Sequence, residues 1–156
     1  MLKTIFFALF AFVLIVLLGF LLNRPKIGSS GKFVDIEIRE KVFRSEIADT
    51  IATRSRGLSG RETLADDRAM FFIFPFAGPQ SFWMRGMKFS LDILWINGER
   101  IVGIDKNVPV PTGLELAIYS PPGPVDRVLE INAGLADKFG FRVGDMISLV
   151  GAITTN

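Results

Sequence analysis

The chain has no cysteine and no histidine among its 156 residues. A Ser-His-Asp triad, a Cys-His pair and the common zinc sites therefore cannot be assembled. No disulfide can form, so a domain outside the cytoplasm would be held by its core alone. The catalytic means left are paired carboxylates, a lysine, or hydroxyls without a histidine partner. A basic domain is also missing. The net charge is +2, but Lys3, Arg24, Lys26 and Lys32 all precede the first acid, Asp35. With those four set aside, 14 basic residues face 16 acidic ones, a net of −2. Nucleic acid is accordingly not an expected partner. No repeat or low-complexity segment is present, and no cofactor or metal site is expected; Asp66 and Asp67 are too sparse for a calcium loop.

Residues 5–22 lack any charged, polar or proline residue. At 1.5 Å of rise per residue such a run reaches about 27 Å, near the thickness of a bilayer's hydrocarbon core. A signal peptide would have a shorter apolar run and a small-residue cleavage site close behind it. Here Asn23, Arg24, Pro25 and Lys26 follow instead. The expected organisation is a single transmembrane anchor over 1–23, a polar linker over 24–32, a folded domain over 33–151 and a tail over 152–156. Bases flank both ends of the run, so the positive-inside rule is nearly silent. The short N-terminal tail favours a single-pass protein of the cell membrane with an extracytoplasmic domain, with secretion after cleavage as the alternative.

From Phe33 the hydropathy period becomes two. Val34, Ile36 and Ile38 share one face of an expected strand, with residues 41–47 as its continuation or partner. Thr50 suits the N-cap of a short helix limited by Gly57 and Gly60. Residues 70–74 read as a strand covered on both faces. The two apolar runs around Asn97-Gly98 read as a hairpin with a type I′ turn. Strands are expected again over 116–120, 125–131 and 146–150, with a helical piece over 133–139 closed at Gly140. The fold class is all-β: a small closed barrel or two-sheet sandwich with one or two short helices, preceded by a single transmembrane helix.

Three segments, taken in order, resemble a known family. Arg56-Gly57-Leu58-Ser59-Gly60-Arg61 leads into Ala69-Met70-Phe71-Phe72-Ile73-Phe74. Phe82-Trp83-Met84-Arg85-Gly86-Met87 leads into Leu91-Asp92-Ile93-Leu94-Trp95-Ile96. Tyr119-Ser120-Pro121 is followed by Val128-Leu129-Glu130, Ala133-Gly134 and Gly144-Asp145. The combination resembles the small prokaryotic domain-of-unknown-function family 192 (DUF192). The resemblance implies a compact β-rich domain, often behind a signal or anchor segment, and brings no established activity. The chain departs from that pattern at Ser59, where the family favours Met, and at Arg85-Gly86-Met87, where it favours Lys-Asn-Thr.

Several residues stand out as candidates for a site. Asp92 shares a strand face with Leu94 and Ile96, so its carboxylate is either paired, hydrogen-bonded to backbone donors, or raised in pKa. It is read as a structural partner of Arg85, Arg56 or Arg61, or as a ligand-facing acid in a pocket rimmed by Trp83 and Tyr119. Arg54, Arg56, Arg61 and Arg68 crowd one region, either as a solvated face near Glu62, Asp66 and Asp67 or as a fork for carboxylate or phosphate. Trp83 and Trp95 suit a core as readily as a platform. The expected ligand-binding set is Arg56, Arg61, Trp83, Arg85, Asp92 and Tyr119, on a non-catalytic module for an anionic or glycan ligand of the cell envelope. A hydrolase working on a glycan through Asp92 and Glu130 is the alternative, and a structural or protein-interaction domain the third.

Overall fold

The structure is a computed structural model, described here for residues 31–113 and 117–155. The anchor and most of the linker expected before the domain lie outside the described residues. No helix among the described residues is long and apolar enough to cross a membrane.

Among the described residues nine strands and two short helices follow one another: β1 (Lys32–Ile38), β2 (Lys41–Ala48), α1 (Ile51–Arg56), β3 (Arg68–Gly78), β4 (Phe82–Trp83), β5 (Leu91–Asn97), β6 (Arg100–Val108), β7 (Ile118–Tyr119), β8 (Val125–Asn132), α2 (Leu135–Lys138) and β9 (Ile147–Thr155). Seven strands form one sheet in the order β6-β5-β8-β3-β2-β1-β9, and β4 pairs with β7 in a ribbon of two. All neighbours are antiparallel except β2 and β3. That parallel pair needs a crossover, which α1 and the segment after it supply.

Alternation along each strand sorts the apolar residues into two cores. Leu94 and Ile96 of β5, Phe71 of β3 and Leu129 and Ile131 of β8 join Ile36, Phe43, Phe141 and Ile147 in one. Leu91, Ile93, Trp95, Met70, Phe72 and Val128 point the other way and pack with Leu58, Met84 and Met87. The central strands are thus covered on both faces, as the run 70–74 suggests, and the sheet rolls around the first core. Its two edges touch at a single bridge, Arg100 to Met146, supported by Ile101 N donating to Asp145 O and Ile147 N to Glu99 O, 2.9 and 2.8 Å. The barrel is not closed. β9 leaves β6 after this bridge and follows β1 instead, so the expected closed barrel or sandwich is corrected to a rolled open sheet.

The turns show how local chemistry meets tertiary demand. β1 and β2 are joined by Arg39 and Glu40, both at positive φ (48° and 67°), a two-residue hairpin turn built without glycine. Between β5 and β6, Asn97 pairs with Arg100, so the turn residues are Gly98 and Glu99 rather than Asn97 and Gly98. Only Gly98 has a positive φ, so the type I′ turn is not formed. The start of β8 sets this: Gly98 N donates to Asp126 Oδ1 (2.8 Å) and Asn97 Nδ2 to Pro124 O (3.1 Å).

Candidate functional site

The site is built on the outer face of the sheet, away from the rolled core. α1 forms one wall. Its N-terminus is closed by a capping box in which Thr50 Oγ1 accepts from Thr53 N (3.1 Å) and Thr53 Oγ1 from Thr50 N (3.0 Å). None of its residues is buried, so packing does not hold it. Arg54 does: its Nη1 donates to Asp49 O (2.6 Å) and Ile73 O (2.9 Å), with the guanidinium 5.2 Å from the Phe74 ring centroid. The helix stops at Gly57, whose φ is +51°, and Arg56 is left exposed at its end.

The opposite wall is the turn over residues 84–87. Ser59 Oγ donates to Arg85 O (3.0 Å) and Gly60 N to Gly86 O (2.8 Å), tying the walls together. A Cβ at Gly86 would stand 2.4 Å from Ser59 Oγ, and Gly86 has a φ of +71°. Ser59 and Gly86 thus lie against each other, and a side chain at position 86 would force the serine hydroxyl to move. β4 carries Phe82 inward, edge-on to Phe72 (4.9 Å between centroids) and to Trp95 (5.4 Å), while Trp83 is 53% exposed.

Between these walls lies a cavity of about 500 Å³, with Leu58, Phe72, Phe74, Phe82 and Met84 among its lining residues and Arg56, Trp83 and Arg85 on its exposed side. Neither guanidinium has an acidic partner among the described residues. Glu130 also lines this cavity. It lies opposite Met70 on β3 and Ile93 on β5, both apolar, and is 6% exposed. No hydrogen bond or ion pair reaches its carboxyl among the described residues. Burial pushes its pKa from 4.5 up to about 8, so at neutral pH it holds its proton.

The structure brings Arg56, Trp83, Arg85 and Glu130 to one cavity and leaves the other candidates elsewhere. Arg61 is occupied by Glu46, Nη2 to Oε2 at 2.6 Å. Tyr119, paired with Phe82 across the β4–β7 ribbon, faces a second hollow with Pro109 and Pro111, with Met84 common to both. Arg68 lies 3.9 Å from Asp67, so the arginine cluster disperses among separate tasks. Trp95 is core, its Nε1 donating to Asp105 Oδ2 at 2.8 Å.

Asp92 is the main correction. It is fully buried on the inner face, where its oxygens accept from Asn107 N and Ala136 N, both at 2.8 Å. Among the described residues no arginine pairs with it, and it lines neither the cavity that holds Trp83 nor the hollow that holds Tyr119. Ala136 is in the first turn of α2, whose N-cap is Gly134 with no side chain to offer. Asp92 supplies that cap from the sheet. The paired-carboxylate arrangement also fails: Asp92 pairs with Ile131 while Glu130 pairs with Ile93, so the two acids emerge on opposite faces. Glu130 as a pocket residue was discoverable from the same signal as Asp92, an acid inside an apolar strand. Arg54 as a tether leaves no such mark. Among the described residues no group of three or more acids converges to hold a metal.

Residues 34–149 match the model of the family DUF192, described as an uncharacterized ACR. No curated protein matches the chain. Two solved structures are similar to it. One is a protein of unknown function from Novosphingobium aromaticivorans DSM 12444, 32% identical, covering 78% of this chain and 89% of that one with a TM-score of 0.71. The other is a putative transcription regulator from Sinorhizobium meliloti 1021, 31% identical, covering 80% and 98% with a TM-score of 0.69. With the family's segments running in order through a match of this extent, the chain belongs to the DUF192 family.

Proposed function

We propose that the domain is a non-catalytic binding module that takes a small anionic ligand, such as an acidic glycan unit, in the cavity between α1 and the turn at 84–87. The observation that carries this reading is the pair Arg56 and Arg85, two guanidiniums without acidic partners among the described residues, at the mouth of an aromatic-lined cavity. A planar guanidinium presents paired donors that match carboxylate or phosphate oxygens. Trp83, half exposed beside them, offers a ring on which a sugar or other flat group stacks. The separation of Asp92 from Glu130 by the sheet removes the support for the glycan hydrolase.

The apolar run over residues 5–22 supports placing this module at a membrane, with an envelope component as its ligand. The description of the Sinorhizobium protein as a transcription regulator is not carried over, since from residue 33 onward acids outnumber bases. The test is calorimetric titration of the full-length chain in mild detergent with uronic acids and sugar phosphates. Arg56→Ala or Arg85→Ala is expected to weaken binding by about tenfold or more, the weight of one charge-assisted hydrogen bond. Unchanged affinity in both variants would overturn the proposal.

A further inference from the structure

Glu130 sets a second requirement on the ligand, beyond the anion that the rim arginines would hold. Glu130 is 6% exposed as a residue, its carboxyl keeping a trace of contact with solvent, and an acid so placed normally has its hydrogen bonds met within the protein. Here, among the described residues, nothing meets them, and the residue lines the cavity. The adjacent strands place Met70 and Ile93 beside it, neither able to bond. The other charged residues lining the cavity are Arg54, Arg56 and Arg85. Arg54 already spends one nitrogen on two backbone carbonyls.

We propose that the cavity is built for a zwitterion, whose ammonium group sits against the Glu130 carboxylate while its carboxylate or phosphate is held by Arg56 and Arg85. This rests on the anion-binding reading above and narrows its ligand class. An anion alone leaves Glu130 without a partner, and a simple amine must pass two arginines of like charge. A ligand carrying both charges satisfies each end. An ammonium brings three donors and a full positive charge to a site where a carboxylate has neither. The rings of Phe72 and Phe82 line the same cavity, and aromatic faces attract cations in dry surroundings. On binding, Glu130 releases its proton to solvent and accepts an N–H from the ligand, which keeps its own charge.

The experiment is calorimetry of the full-length chain at neutral pH, run in buffers of different ionisation enthalpy. The probes are ω-amino carboxylates of increasing chain length with amine-free carboxylates of the same length, and phosphoethanolamine with ethyl phosphate. The amino compound of the best-fitting pair is expected to bind about tenfold more tightly. Its binding should release close to one proton, because Glu130 holds its proton at neutral pH until an ammonium reaches it. Glu130→Gln should bring the two members of that pair to equal affinity and abolish the release. Should that variant fail to fold, proton release by the wild type decides alone. Equal affinities without proton release would overturn the zwitterion while leaving the anion site standing. Absence of binding by every probe and by the acidic sugars would overturn both.

Discussion

Asp92 and Glu130 occupy adjacent rungs of neighbouring strands, yet their circumstances are opposite. Asp92 turns inward and accepts from two backbone N–H groups. One of these belongs to Asn107, which sits at φ +52°, so the carboxylate also secures a strained residue. Asp92→Asn keeps one acceptor and turns an amide donor toward an N–H donor. A loss of about 3 kcal/mol in chemical denaturation is expected, as for charge-assisted hydrogen bonds broken in a core; a neutral substitution would contradict the capping role. Glu130 turns outward with no partner among the described residues, and its linkage to pH has the opposite sense from a stabilising carboxylate. Unfolded, it ionises near 4.5; folded, near 8. Between those values the unfolded chain has released the proton that the folded chain retains, so stability falls as pH rises through the window. From pH 4.5 to 7 the contribution is on the order of 3 kcal/mol. Glu130→Gln should flatten this decline and leave the variant more stable than wild type at neutral pH. Parallel stability profiles for the two proteins would show that Glu130 does not titrate in this range.

At the scale of the element, α1 is a helix of six residues with no buried side chain. A piece so short does not form on propensity alone. It is held by its capping box, by Arg54 and by the turn at Gly57, and it carries Arg56 to the cavity. Thr50→Ala is expected to cost about 1 kcal/mol, the usual weight of an N-cap. Because Arg56 rides on this helix, ligand affinity should fall as well. Denaturation and calorimetry on the same variant check the two consequences separately. An affinity loss without any stability loss would place Thr50 at the ligand rather than under it. The facing turn is held by its own pair, Ser59 and Gly86, which together let the two walls approach.

For the molecule as a whole, one sheet serves two purposes because it is covered twice. Its inner face closes around the core that holds the fold, and its outer face is covered in part by short segments that leave a cavity. The roll remains open at β9, which exposes Leu149, Val150 and Ile153. β9 runs on to Thr155, through the expected tail over 152–156, because Thr154 and Thr155 pair with Phe33 and Lys32. Gly151, at φ +80°, lies where the register shifts. Deleting residues 152–156 removes pairing at an edge without removing core. A loss of about 1 kcal/mol is expected, with faster amide exchange at Lys32 and Phe33. Unchanged exchange there would show that the end of β9 contributes nothing to the ladder.

Features that depend on neighbours along the chain could be read from the residues alone. The period-two pattern of Val34, Ile36 and Ile38, the double burial of residues 70–74, the Thr50 cap and the stop at Gly140 follow from local geometry and are all present. The sequence also marks Asp92 as a carboxylate that must be satisfied inside the protein, since an acid between apolar residues leaves few alternatives. Which donors satisfy it was not legible, because Asn107 and Ala136 lie 15 and 44 residues away. Tertiary structure likewise decided that Arg56, Trp83 and Arg85 share a cavity with Glu130, while Arg61 is taken by Glu46. It decided the turn at Gly98 through Asp126, and the open roll through the pairing of β9 with β1. The physical reason is common to these cases. Periodicity fixes the face on which a side chain emerges, but strand order and register fix what it meets there.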